Sequence, residues 1–134
     1  LGSIETEELF EVFEKLEAIT QNTDQLEINL NSISYSPKDN PRMVWVSGDK
    51  SKELKEFQEK IDEELFNRGS KEFNIHITLG RIKQWQFKRI EKEEIPEFEE
   101  IDFKFNVNSI EVMESELKRG GAVYTTLKSF SLNS

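Results

Sequence analysis

The chain has no cysteine, a single histidine and only three prolines among its 134 residues. The lack of cysteine excludes disulfides, thiolate nucleophiles and cysteine-bound zinc. The single imidazole excludes a histidine-cluster metal site within one chain. A carboxylate-only Mg²⁺ or Ca²⁺ site stays open, yet no segment has the spacing of an EF-hand loop. Long apolar runs are missing too. Nothing approaches the roughly 20 residues of a membrane span, and no secretory signal is visible. A soluble, cytoplasmic protein with no membrane partner is the expectation.

Only 35% of residues are apolar, against 34% charged, but ten Phe and two Trp supply large buried area per side chain. The length suits one compact domain or two small lobes sharing a core. A net charge of −9 opposes binding along an extended polyphosphate. It leaves room for a local basic pocket that grips one phosphate or a strand end.

Apolar spacing predicts a helix from Ser3 to about Thr20, with Leu9, Phe10, Phe13 and Leu16 on one stripe and Ser3 or Thr6 as its cap. Asn22, Thr23 and Asp24 break it. Gln25 to Tyr35 alternates as a strand, Ser36 to Pro41 is turn chemistry, and Arg42 to Val46 returns as the second strand of a hairpin. Lys50 to Asn67 carries the stripe Leu54, Phe57, Ile61, Leu65 and Phe66 and stops at Arg68-Gly69. Phe73 to Ile82 reads as a strand. Gln84 to Glu99, broken by Pro96, reads as a short helix and a loop. Phe103 to Met113 and Ala122 to Leu132 read as strands joined around Arg119-Gly120-Gly121. The order implies an α+β fold with mostly antiparallel pairing.

Two segments resemble each other. Leu26 to Ile33 reads LEINLNSI and Phe103 to Ile110 reads FKFNVNSI, at an offset of 77 residues. Strand alternation explains the matched apolar positions but not the shared N-x-N-S-I. The reading is a single domain over residues 1–134, built from two similar halves. Carrying His76 back by the same offset lands just ahead of Leu1, so a first copy of the histidine strand is expected before this stretch.

That strand, Phe73 to Arg81, reads FNIHITLGR. Residues two apart on a strand share a face. His76, Thr78 and Gly80 are thus expected on one face, and Ile75, Ile77, Leu79 and Arg81 on the other, which reads as core apart from Arg81 at the strand end. A lone strand histidine is most often a packing residue. An imidazole beside a hydroxyl, with a glycine leaving room, instead suits an anion: histidine moves a proton near neutral pH, and threonine donates to a phosphoryl oxygen. Arg81 can swing round the strand end and clamp a phosphate. Opening a phosphodiester needs a base and an acid, which two H-x-T strands related by a pseudo-twofold would supply. Other candidates read as structure. Trp45 and Trp85 are core or rim, Arg42 and Tyr124 pack and hydrogen-bond, and Glu91 to Glu100 is a solvated face. Ser115 with Arg119-Gly120-Gly121 is a hairpin turn before it is a phosphate nest.

HITLGR, with Phe73 before it, resembles the second H-x-T-L-x-R motif of the 2H phosphoesterase superfamily, in its RNA 2′,3′-cyclic phosphodiesterase (2′-5′ RNA ligase) branch. Ile75 stands where that branch often has proline. Leu1-Gly2 resembles the end of the first motif, H-x-T-L-x-x-L-G. PRMVWV at 41–46 resembles the hairpin strand, and 109–127, SIEVMESELKRGGAVYTTL, the closing hairpin. The resemblance covers nearly the whole chain. It implies a bilobal, pseudo-twofold arrangement of antiparallel sheets with helices outside, the first strand or strands absent from this stretch. It implies hydrolysis of terminal 2′,3′-cyclic phosphates on RNA or nucleotides without metal or nucleotide cofactor. The resemblance makes His76 an acid/base, Thr78 a hydrogen-bond donor to the phosphate and Arg81 a candidate phosphate clamp. Lacking the first histidine, the 134 residues alone are expected to be inactive or severely impaired. The alternative is a non-catalytic module of the same fold that binds nucleotides or RNA ends. A strand missing from a sheet would also leave an edge open to self-association.

Overall fold

The computed structural model describes residues 4–67, 74–91, 94–98 and 100–134. A 3-10 turn, Thr6–Glu8, leads into α1 (Leu9–Gln21). There follow β1 (Leu26–Ser36), β2 (Met43–Gly48), α2 (Lys52–Phe66), β3 (His76–Arg81), α3 (Gln84–Phe87), β4 (Phe103–Val107), β5 (Ser109–Lys118) and β6 (Gly121–Ser131). One four-stranded sheet has the order β3-β2-β1-β4, and β5 and β6 form a second, two-stranded sheet. The mixed α+β architecture agrees with the alternation and stripes read from the sequence.

The chain divides into two compact units. The first comprises Leu1–Glu27, Lys52–Lys71 and Asn106–Ser134. Its core gathers Val12 and Leu16 of α1, Leu26 at the head of β1, Phe57 and Ile61 of α2, and Phe130 and Leu132 at the end of the chain. Ile61 is only 2% exposed. The Phe13 and Phe130 rings lie 6.0 Å apart, and the Lys128 ammonium sits 4.9 Å from the Phe130 ring centroid and 2.9 Å from Glu17 Oε2. The end of α1 satisfies its own orphan carbonyls. Thr20 Oγ1 donates to the Leu16 carbonyl, Asn22 Nδ2 to Ala18 and Thr23 Oγ1 to Ile19, which is why a hydroxyl can be buried at Thr20.

The second unit comprises Ile28–Ser51 and Glu72–Phe105. Here β2 is central, antiparallel to β1 on one side and to β3 on the other. Paired residues point to the same face of a sheet. One face carries Ile33, Tyr35, Val44, Val46 and Ile77, and the Tyr35 ring lies 4.8 Å from Phe98 and 6.1 Å from Phe87. Tyr35 also donates to the Pro96 carbonyl at 2.9 Å, which ties down the segment after α3. At Gly48 the strands approach so closely that a β-carbon would lie 1.8 Å from the Asn29 carbonyl oxygen.

Several boundaries differ from the sequence reading. Thr6 makes no side-chain cap, and α1 is preceded by the 3-10 turn instead; Ser3 lies outside the described residues. The second helix ends at Phe66, with Asn67 in the left-handed region (φ 44°) and its amide bonded to the Glu63 carbonyl. The expected stop at Arg68-Gly69, and Phe73 at the head of β3, lie outside the described residues, as do Leu1-Gly2. The strand expected over 103–113 is two strands, broken at Asn108, whose carbonyl accepts the Leu132 amide.

Candidate functional site

His76, Thr78 and Arg81 all lie on β3, at the edge of the four-stranded sheet. The strand is exposed along its whole length, with Ile77 47% and Leu79 57% accessible. The expectation that Ile77 and Leu79 lie in a core is therefore corrected. An edge strand has one neighbour; Ile75, just before it, is buried, and no residue of the strand itself is.

The register makes a second correction. Trp45 pairs with Thr78 and Ser47 with His76, but Val44 pairs with Gly80 and Met43 with Arg81, so β3 carries one extra residue, a bulge, between Thr78 and Gly80. Strand β2 is regular against β1 across this region, so Met43, Trp45 and Ser47 share a face. Their partners Arg81, Thr78 and His76 share it too. Simple alternation sends Arg81 to the opposite face; the bulge returns it to the imidazole's side and sends Gly80 away. The same pairing adds Ser36, Ser34 and Ser32 of β1, and Ser32 Oγ lies 3.2 Å from Ser47 Oγ. An imidazole, a guanidinium and five hydroxyls thus line one sheet face.

The imidazole is held at two points. Its Nδ1 lies 3.0 Å from the Asn74 carbonyl oxygen. A carbonyl only accepts, so Nδ1 carries the proton and Nε2 has the lone pair in the neutral ring. The Trp45 indole stacks on the ring with centroids 3.9 Å apart and planes 20° apart. Trp45 Nε1 is buried and has no hydrogen-bond partner among the described residues. The Arg81 guanidinium is exposed and makes no ion pair with any described residue. Such a face presents a proton acceptor, a hydroxyl donor and a cation on one side of the sheet.

Trp85 is exposed, with Arg89 stacked 5.6 Å from its ring centroid, and Ser115 pairs with Tyr124 inside an ordinary hairpin. Trp45, which the sequence places in core or rim, is half-buried against the imidazole. Its role shows only through strand register, as does that of the Asn74 carbonyl. A groove of about 500 Å³ in the first unit is lined by apolar residues such as Ile4, Leu9, Leu65 and Ile110 with Glu111 and Glu114. It contains none of the β3 residues, and the chemistry argues for the β3 face. Among the described residues no cluster of carboxylates and imidazole is arranged to hold a metal, and no helix is long and apolar enough to cross a membrane.

The β3 face lies within a region of known kinship. Residues 44–124, more than half of the chain, match the family model described as LigT like Phosphoesterase. The RNA 2′,3′-cyclic phosphodiesterase of Methanocaldococcus jannaschii is 30% identical over 133 residues, a stretch that takes in 96% of this chain and 74% of that protein. Among solved structures, TT0787 of Thermus thermophilus superposes with a TM-score of 0.72 at 26% identity, over 98% of this chain and 74% of that one. E. coli LigT complexed with 3′-AMP has the same TM-score of 0.72 at 20% identity, over 100% of this chain and 72% of that one, a likeness of fold alone. With the family model spanning most of the second unit and a curated relative matched almost end to end, the chain belongs to the LigT-like phosphoesterase family.

Proposed function

We propose that this protein hydrolyses terminal 2′,3′-cyclic phosphates on RNA or nucleotides, with His76 as a proton carrier, Thr78 as a hydrogen-bond donor to the phosphoryl group and Arg81 as its electrostatic clamp. The observation that carries the reading is the bulged register of β3, which aligns all three on one open face. Family membership and a relative named RNA 2′,3′-cyclic phosphodiesterase support the substrate class.

In the reaction a water oxygen attacks phosphorus and the P–O3′ bond breaks. A base takes the water's proton and an acid returns one to O3′, leaving a 2′-phosphate and a free 3′-hydroxyl. Neutral His76 is suited to the first task through Nε2, and protonated His76 to the second. Arg81 and Thr78 offset the charge that builds on the non-bridging oxygens. One imidazole fills one role at a time. The 134 residues tested alone are expected to turn over about 10²–10⁴ times more slowly than a chain that carries a second positioned imidazole.

The test is hydrolysis of a 2′,3′-cyclic-phosphate oligonucleotide by the full chain and by its His76→Ala variant. A loss of about 10²–10⁴ is expected; undiminished activity in the variant would sink the assignment. A second reading, a module that binds RNA ends without chemistry, rests on these 134 residues holding one imidazole, which fills one of the two proton roles. It predicts saturable nucleotide binding with no turnover in any form. The outer side of β3 has no partner strand among the described residues, so dimers that grow with concentration are expected in light scattering. A monomer at all concentrations would remove self-association from the picture.

A further inference from the structure

We infer that Trp45 is the positioning residue that fixes the His76 ring for the reaction, an inference that rests on the functional reading above. An imidazole on an exposed edge strand is free to change rotamer unless its surroundings hold it. Two contacts hold this one. The Asn74 carbonyl takes the Nδ1 proton and sets the tautomer; the indole covers one ring face and sets the tilt. Neither contact occupies Nε2.

The register explains why Trp45 does this. Trp45 is paired with Thr78, and His76 is its diagonal neighbour two residues along β3, within reach of a large aromatic ring. Trp45 rides on β2, a strand paired on both sides, whereas His76 rides on the edge. The stack therefore references the reactive ring to an interior strand of the sheet. The indole N–H takes no part, being buried without a partner among the described residues. Its flat face is what matters, so Phe or Tyr should replace it and an aliphatic residue should not. Trp45 does not touch the phosphate in this scheme and acts only through the imidazole.

The experiment combines magnetic resonance on these 134 residues, in which His76 is the one imidazole, with kinetics on the full chain. In the wild-type protein the ring protons should be shifted upfield by the indole, and the nitrogens should report the Nδ1-protonated tautomer. Trp45→Phe should keep both signatures and hold turnover within about threefold. Trp45→Leu should lose the upfield shift, and kcat should fall about 10- to 100-fold with KM nearly unchanged, as expected of a misplaced catalytic group. Wild-type ring protons at free-histidine positions would overturn the stack without any variant. Unchanged kcat in Trp45→Leu would overturn its role in the reaction. Should the leucine variant fail to fold, Trp45→Phe and Trp45→Tyr decide: a tenfold loss in either, with the histidine signals intact, refutes the inference. Full activity in His76→Ala would sink the functional reading instead, while the stack is still judged from the wild-type spectrum.

Discussion

The two units of this chain are stabilised internally by different means. The first buries hydrocarbon from α1, α2 and the last strand in one cluster, with Ile61 and Leu16 almost inaccessible. The second relies on a sheet in which β2 is paired on both sides, and keeps one face polar and β3 exposed from end to end. Burial stabilises through apolar area removed from water, whereas an exposed strand gains little from it. The division gives one unit a dense core and the other an accessible strand that carries the candidate site. Active groups need access, and access costs stability where it is provided.

Truncating the densest point of the first unit should have the largest effect on folding. Ile61→Ala is expected to lower unfolding free energy by about 2–5 kcal/mol, measured by urea denaturation. A loss below about 1 kcal/mol would mean that the cluster is looser than its burial implies. The corresponding weak point of the second unit is a backbone contact. Gly48→Ala places a methyl against the Asn29 carbonyl, and neither partner is a flexible side chain. A loss of about 1–3 kcal/mol is expected, and a variant as stable as the parent would show that the strands can part freely there. By contrast His76→Ala, exposed on β3, should change stability by no more than about 0.5 kcal/mol while lowering activity about 10²–10⁴-fold; unfolding of that variant would blur the distinction between the units.

The smallest effect belongs to the surface of α1. Hydrogen bonding and charge attraction from Lys15 hold the Glu11 carboxyl below its ordinary range, and the same pair raises Lys15. For a depressed carboxylate the contribution is present above the unfolded pKa and lost as pH falls through the folded one. For a raised lysine it is present below the unfolded pKa and lost as pH rises through the folded one. Glu11 is exposed and Lys15 partly so, and the pair is open to solvent, so Glu11→Gln should shift the melting temperature only slightly, and high salt should erase the difference. A salt-insensitive loss would point to packing by the side chain instead.

Much of this was legible in the sequence. The stripe Leu54, Phe57, Ile61 and Leu65 located α2, and all four side chains lie in or against the core cluster. Alternation located β1, β2 and β3 within a residue or two at most described ends. The histidine, threonine and arginine could be singled out because no packing demand asks for that trio. The split at Asn108 was not legible, because β4 and β5 belong to different sheets and local alternation runs straight through the break.

The sequence by itself determined which residue types stand at alternate positions, where helices and strands run, and that only one imidazole is available. Tertiary structure alone decided that Arg81 joins His76 and Thr78, that Trp45 lies against the imidazole, and that Ile77 and Leu79 are uncovered. The reason is that the face of a strand residue depends on its pairing with a neighbour. A single extra residue between Thr78 and Gly80 reverses every side chain beyond it, and nothing local in HITLGR announces that bulge.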